Sequence, residues 1–336
     1  MKSSNIADSV FKVNLHYTDL QNKTKELFFR CLDEKRNISY FEYELNKIWG
    51  DIDYSFMMDE ITEYENIIHS RNKEIIEQKN LDGKKTTEVS AIGNIFALVP
   101  ISVITGMENK FIKQKIKEYK VSLKSNAYKV DKDAYLKMKV QKYTDQIVPY
   151  YLKEPTSTGK TIRYVDLSTY CSMIHNTNLT RTVWNQTIKD GEYMEHTLFY
   201  IPYHSFSCEH CLLHQNRIMT INEVLNIANN VNKQGNILHP NCKCVLTFYD
   251  NSVNFNYPRY TPSELAEQYK IRQRVNGLTL EKERVKTDIK IQKNLGNQDE
   301  VDKLNQQRNQ INKEIRKLTS ELPTTSLKKQ VIAINR

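Results

Sequence analysis

The stretch 204–214, HSFSCEHCLLH, and its downstream counterpart 238–244, LHPNCKC, decide how the middle of this chain folds. A Cys-x-x-Cys pair presents two soft thiolates from one turn, and a second pair further along can complete a tetrahedron around zinc. Here the second pair is Cys-x-Cys, a tighter and less common spacing. Cys208, Cys211, Cys242 and Cys244 are the expected ligands, with His239 or His214 replacing one thiol as the variant. Four protein ligands leave no open coordination position, so the expected zinc is structural and not catalytic. Disulfides are the competing reading, but the opening MKSSNIADSVFKVN lacks the apolar core of a secretion signal, and a reducing compartment keeps thiols free. Redox chemistry at the Cys-x-x-Cys wants a βαβ surround that the pattern lacks. Unligated buried cysteines are the third alternative. Glu209, between two ligands on a turn, faces water more naturally than it serves as a base, and the H-x-E then P-C-x-x-C order of nucleobase deaminases is absent.

Outward from the cysteines, residues 195–204 (EHTLFYIPYH) are aromatic and β-branched and read as a strand, at a sheet edge because Pro202 cannot donate to a ladder. Residues 245–249 (VLTFY) read as a second strand. Between them, Thr220 and Glu223 make a capping box, with Val224, Leu225, Ala228 and Val231 on one helical face and Gly235 as the stop. Upstream, Asp166 stands at an N-cap position before Leu167, Tyr170, Ile174, Thr177, Arg181, Trp184 and Ile188, which recur at helical spacing up to Gly191. Residues 160–257 therefore form a small central α+β domain.

Both flanks read as helical. Residues 1–155 carry apolar residues at three and four spacing, as in Leu45, Ile48, Trp49 and Ile52, before a loop-like break at 153–160 (KEPTSTGK). Gly159-Lys160-Thr161 imitates the end of a phosphate-binding loop, but Glu154 stands where that motif needs glycine, so no nucleotide site is expected. The apolar run 91–105, AIGNIFALVPISVIT, is too short to span a bilayer and contains Asn94 and Pro100; it reads as a core segment, and no stable membrane insertion is expected. From Pro262 at a first helical position, seams of Leu278, Val285, Ile289 and then Leu304, Ile311, Ile315, Leu318, Leu322 flank Gly296, which predicts an antiparallel helical hairpin in 258–336. The fold class is α+β, predominantly helical. Only nine glycines in 336 residues argue against a large doubly wound enzyme. Of the net +9, the last segment holds 17 Lys and Arg against 10 Asp and Glu. Such a tail is ordinarily a solvated helical face; its charge also suits an acidic protein surface or nucleic acid.

The order of helix (YCSMIHNTNLTRTVWNQTIKDG), strand (HTLFYIPYHS), knuckle (SCEHC), capped helix and LHPNCKCVLTFY resembles the minor capsid proteins of tailed phages, in particular phage minor capsid protein 2 and the Mu F-like head morphogenesis group. The resemblance covers roughly residues 160–322. By position, the family's strand-ending His and Ser fall on His204 and Ser205, beside the metal ligands; its Cys-x-x-Cys on Cys208 and Cys211; and its H-P-N-C-[RK]-[HC] on His239, Pro240, Asn241, Cys242, Lys243 and Cys244. The chain departs at His214-Gln-Asn-Arg-Ile, where the family often has Trp-x-Gly-Lys, and at Cys244, where histidine is common. The resemblance implies a structural virion protein assembled in the bacterial cytoplasm, portal-associated, meeting the portal protein and the major capsid or scaffold protein, with packaged DNA facing the basic tail. The alternative is a zinc-knuckle DNA-binding or nuclease module delivered with the phage genome, although no catalytic constellation stands out in the sequence.

Overall fold

The computed structural model describes residues 6–50, 52–78, 96–147, 153–156, 159–162, 164–193, 198–202, 211, 214–229, 242, 244–249 and 262–322. The fold is α+β and predominantly helical, as the residue pattern predicts. The order is α1 (Ile6–Asp33), α2 (Ile38–Trp49), α3 (Ser55–Gln78), α4 (Ile101–Lys124), α5 (Asn126–Val130), α6 (Lys132–Lys142), β1 (Gln146–Ile147), β2 (Lys153–Thr156), β3 (Gly159–Ile162), β4 (Val165–Asp166) and α7 (Leu167–Tyr193). Then come β5 (Leu198–Tyr200), β6 (Ile218–Thr220), α8 (Ile221–Asn229), β7 (Thr247–Phe248), α9 (Pro262–Asn294) and α10 (Gln298–Glu321). The chain divides into two compact units, one of Met1–Lys12, Tyr54–Pro100 and Ser172–Lys270, the other of Val13–Asp53, Ile101–Cys171 and Ile271–Arg336.

In the first unit, an antiparallel sheet of order β6-β5-β7 pairs Phe199 with both Met219 and Phe248. These residues pack with Phe96, Trp184, Ile188, Val224 and Leu246 around the buried cysteines. The capping box forms as expected: Glu223 N–H donates to Thr220 Oγ1 at 3.3 Å, and Glu223 Oε2 accepts from Thr220 N–H at 2.9 Å. Two expectations are corrected. β5 is the central strand and not an edge, because Pro202 lies two residues past the paired segment and its missing N–H removes nothing from the ladder. Gly191 does not end α7, which runs on to Tyr193; a glycine stops a helix only when it takes the left-handed conformation, and Gly191 remains helical. Val231 and Gly235 lie outside the described residues.

The second unit has an aromatic core. Phe41 stacks on Tyr119 with ring centroids 4.2 Å apart, while Phe28 meets Phe29, Phe41, Tyr119 and Tyr143 edge-on. Two of the polar tips are satisfied: Trp49 Nε1 donates to Thr24 Oγ1 at 2.8 Å, and the Tyr119 hydroxyl to the Arg36 carbonyl at 2.7 Å, whereas the buried Tyr143 hydroxyl has no hydrogen-bond partner among the described residues. Leu45 and Trp49 are buried in α2, but Ile52 falls beyond the end of that helix. The 153–160 stretch is corrected from loop to hairpin: Lys153–Thr156 pairs with Gly159–Ile162. Closure across Thr156 and Gly159 makes Pro155 and Lys160 the pair that exchanges no ladder hydrogen bonds, so proline fits there. The GKT triplet thus lies in a strand and not at a helix N-terminus, in keeping with the exclusion of a phosphate loop.

The terminal hairpin also forms as read. Val275, Leu278, Val285 and Ile289 of α9 pack on Val301, Ile311 and Ile315 of α10. Gly296 takes φ +66°, its N–H reaches the Lys293 carbonyl at 3.0 Å, and the Asn297 N–H reaches the Gln292 carbonyl at 3.0 Å. This double closure is the Schellman end of a helix, which needs a residue free to adopt positive φ. The 91–105 run, described from Phe96 on, splits at Pro100 into a non-helical piece and the start of α4. Among the described residues no helix is long and apolar enough to cross a membrane.

One buried polar cluster in this unit carries a pH prediction. The fully buried Lys115 reaches Glu118 Oε2 at 3.0 Å, donates to the Thr144 carbonyl, and stands 4.2 Å from the Tyr143 ring centroid. Nearby, Asp145 keeps some surface, but its Oδ1 is sealed from solvent with no hydrogen-bond partner among the described residues. Burial pushes the Asp145 carboxyl up to about 6, against the opposing pull of Lys115, Lys25 and Arg284. A folded pKa above the unfolded one means that the protonated form stabilises the fold fully below about pH 4, and that this contribution is lost as pH rises through about 6. Asp145→Asn, which mimics the neutral acid, should therefore be more stable than the parent above pH 7, by up to about 3 kcal/mol at 1.36 kcal/mol per pKa unit. The advantage should vanish near pH 4. Urea midpoints at the two pH values check both the sign and the window.

Candidate metal centre

α7 builds the site. Its sequence, rich in Asn and Thr, would be a poor solvent-exposed helix, yet Asn176, Asn178, Thr180, Thr182, Asn185 and Thr187 are all buried. Buried polar side chains need partners, and the backbones of two non-helical segments supply them to all of these but Thr182, whose hydroxyl has none among the described residues. Asn185 accepts from the Phe96 N–H at 2.9 Å and donates to the Phe96 carbonyl at 2.8 Å. Asn178 does the same for Val99, at 2.7 and 2.9 Å, and Arg181 donates to the Ala97 carbonyl at 2.6 Å. Each amide acts as a one-residue strand partner. The register fits, since seven helical residues rise about 10.5 Å and three extended residues span about 10 Å.

On another side of α7, Asn176 and Thr180 donate to the Cys242 carbonyl at 2.9 and 2.8 Å, Trp184 Nε1 donates to the Cys244 carbonyl at 2.8 Å, and Thr187 to the Leu246 carbonyl at 3.3 Å. Carbonyls two residues apart point the same way in an extended chain, and so do side chains. The carbonyls of Cys242 and Cys244 both turn to α7, and the sulfurs of both lie in one cluster. This is the geometric meaning of Cys-x-Cys.

Both thiols meet Cys211, the second cysteine of the Cys-x-x-Cys. The three sulfurs are buried and lie within 4.8 Å of one another, with Cys211 and Cys242 Sγ 3.5 Å apart. None of the three is in a disulfide. A tetrahedral zinc site with bonds of about 2.3 Å has sulfur–sulfur edges of about 3.8 Å, so the spacing fits a shared ion. Gln215 Nε2 donates to Cys244 Sγ at 3.5 Å, the kind of contact that holds a ligating sulfur in place. The Cys244 thiol is displaced well above its ordinary range: the contact with Cys211 lowers it, but Cys242 and burial together outweigh that pull. Uncharged thiols packed so closely gain from a cation that lets them ionise together. These three cysteines can hold a metal ion.

His214 sits beside the cluster, its backbone N–H on the Cys211 carbonyl at 3.0 Å, but its ring is not in the group lying within 4.8 Å. Burial, followed by Arg217, lowers its pKa, with Cys242 opposing. Cys208, His204, Ser205, Glu209 and His239 lie outside the described residues.

Two histidine clusters escape a reading of the sequence. His175 Nε2 lies 2.9 Å from Ser9 Oγ and 3.0 Å from Glu60 Oε2. Serine and carboxylate share one ring nitrogen, whereas a relay for nucleophilic attack places them on opposite nitrogens, so this is a structural tie between α1, α3 and α7. On α3, His69 Nδ1 lies 2.9 Å from the buried Asp190, which also accepts from Asn72 and Gln186. Partners more than a hundred residues apart leave no local signal. No protein-family model, curated protein or solved structure matches this chain.

Proposed function

We propose that this chain is a structural, non-enzymatic component of a tailed-phage head, a minor capsid or head-morphogenesis protein acting at the portal vertex. In this reading a structural zinc ion locks one unit, held by Cys211, Cys242 and Cys244 with Cys208 as fourth ligand and His239 or His214 as the alternatives. The observation that carries it is convergence: α7, β5, β6, α8 and the Cys-x-Cys segment, which bear the family resemblance, share one core that includes the thiol cluster. Zinc there would supply a crosslink among segments far apart in the chain and no reactive centre. The chain's own residues do the positioning: α7 fixes the two carbonyls beside the thiols, and Gln215 steadies Cys244.

Purification of the tagged chain from cells producing phage tests this reading. Portal protein is expected to co-purify, and the chain itself to be found in finished heads. Its absence from heads, with no portal recovered, would overturn the assignment.

A further inference from the structure

Among the described residues, the terminal hairpin is not the most concentrated free positive charge. Many of its cations already face carboxylates: Arg274 meets Glu314, Arg284 meets Asp166, Lys286 meets Glu283, Lys290 meets Glu26 and Lys303 meets Glu300. Residues 101–142 hold eleven lysines and no arginine against four acidic residues. Within α4, Lys113, Lys117, Lys120 and Lys124 recur at steps of four, three and four, all exposed, and none has an ion pair among the described residues. At about 100° per residue these side chains fall within about 60° of one another and form a straight row about 16 Å long. The opposite side of α4 carries its buried residues, Ile104, Met107, Phe111, Lys115, Tyr119 and Ser122. Its two carboxylates are engaged elsewhere: Glu108 accepts from Tyr17 at 2.6 Å, and Glu118 from Lys115 and Gln114.

We propose that this lysine row on α4 binds the phosphate backbone of duplex DNA, without reading base sequence. Neighbouring lysines at these spacings repel one another, and a polyanion laid along them relieves the repulsion and releases its condensed counterions. Two other polyanions fit less well. A helix lying in a membrane surface buries an apolar face in the lipid, but the apolar face of α4 is already spent on the core. Single-strand binders stack bases on exposed aromatic side chains, but the α4 aromatics, Phe111 and Tyr119, are both fully buried. The site is independent of the head-protein reading and of the cysteine cluster.

The test uses the full chain and a fluorescent duplex of about 30 base pairs, titrated between about 50 and 200 mM salt. Each phosphate contact contributes about 0.9 to the slope of log affinity against log salt, so the fourfold variant K113Q/K117Q/K120Q/K124Q should flatten that slope by about 2 to 3.6. Circular dichroism should show it folded, because all four positions are exposed. A comparison variant, K313Q/R316Q/K317Q on the hairpin, should change the slope by less than about 1. The proposal is overturned if the parent does not bind duplex, if the α4 variant keeps its slope, or if the loss follows the hairpin variant instead. Preference for a single strand, or for phosphatidylserine vesicles over duplex, also overturns it.

Discussion

Cys242→Ser is expected to lower the thermal midpoint of the protein by about 10 °C or more and to reduce bound zinc from one equivalent to less than about half. The size follows from what the sulfur does. Serine keeps the backbone of residue 242, so Asn176 and Thr180 can still donate to its carbonyl. What disappears is one sulfur from a buried group of three, leaving only those of Cys211 and Cys244. Loss of a metal site is among the few single changes that cost more than about 4 kcal/mol. A chelator should do to the parent what the substitution does, and should move the Cys242→Ser midpoint little. Cys171→Ser, also a buried thiol but outside the cluster, should keep its zinc. Parent protein with less than half an equivalent of zinc, and a midpoint indifferent to chelator, would falsify the zinc site.

Features set by local spacing were legible in the residues. The capping box at Thr220 and Glu223, proline at the start of α9, and the seams and glycine of the terminal hairpin each depend on contacts within a few positions or on a repeating step, and each appears in the fold. The meeting of Cys211 with Cys242 and Cys244 was legible for a related reason, since few other arrangements satisfy so many thiols in one short region. Punctuation residues misled where their effect depends on position. Pro202 weakens a ladder only from inside it, Gly191 stops a helix only at positive φ, and the polar stretch at 153–160 closes a hairpin because its proline falls on a pair that exchanges no ladder bonds. The role of α7 was hidden. Its pattern of Leu167, Ile174, Trp184 and Ile188 announces a helix, but nothing local separates an asparagine that faces water from one that clasps a backbone 79 or 89 residues away. The lysine row on α4 has a visible period, but its residues are not distinguished by charge from the equally basic C-terminal segment; the ion pairs of the hairpin make that distinction.

The clasp on Phe96 is where the hidden role of α7 should show its largest effect. Asn185→Leu keeps nearly the same shape while removing both hydrogen bonds, so the Phe96 N–H and carbonyl are left buried without partners. An unsatisfied buried polar group costs about 1–3 kcal/mol, and two of them together should destabilise the protein by about 2–6 kcal/mol. Asn185→Asp divides the two bonds. The carboxylate can still accept from the Phe96 N–H, but it cannot donate to the carbonyl and places a charge against that oxygen in a buried site, so it should be no milder than leucine. The loss should be local as well as global, because the Phe96 ring packs edge-on against Trp184 at 5.8 Å, and Trp184 in turn donates to the Cys244 carbonyl. Amide exchange at Phe96 should be slow in the parent and fast in Asn185→Leu, with Val99, held by Asn178, less affected. If urea unfolding of Asn185→Leu matches the parent within about 0.5 kcal/mol and the Phe96 amide stays protected, the segment is held by packing alone, and α7 is not the frame that its buried asparagines indicate.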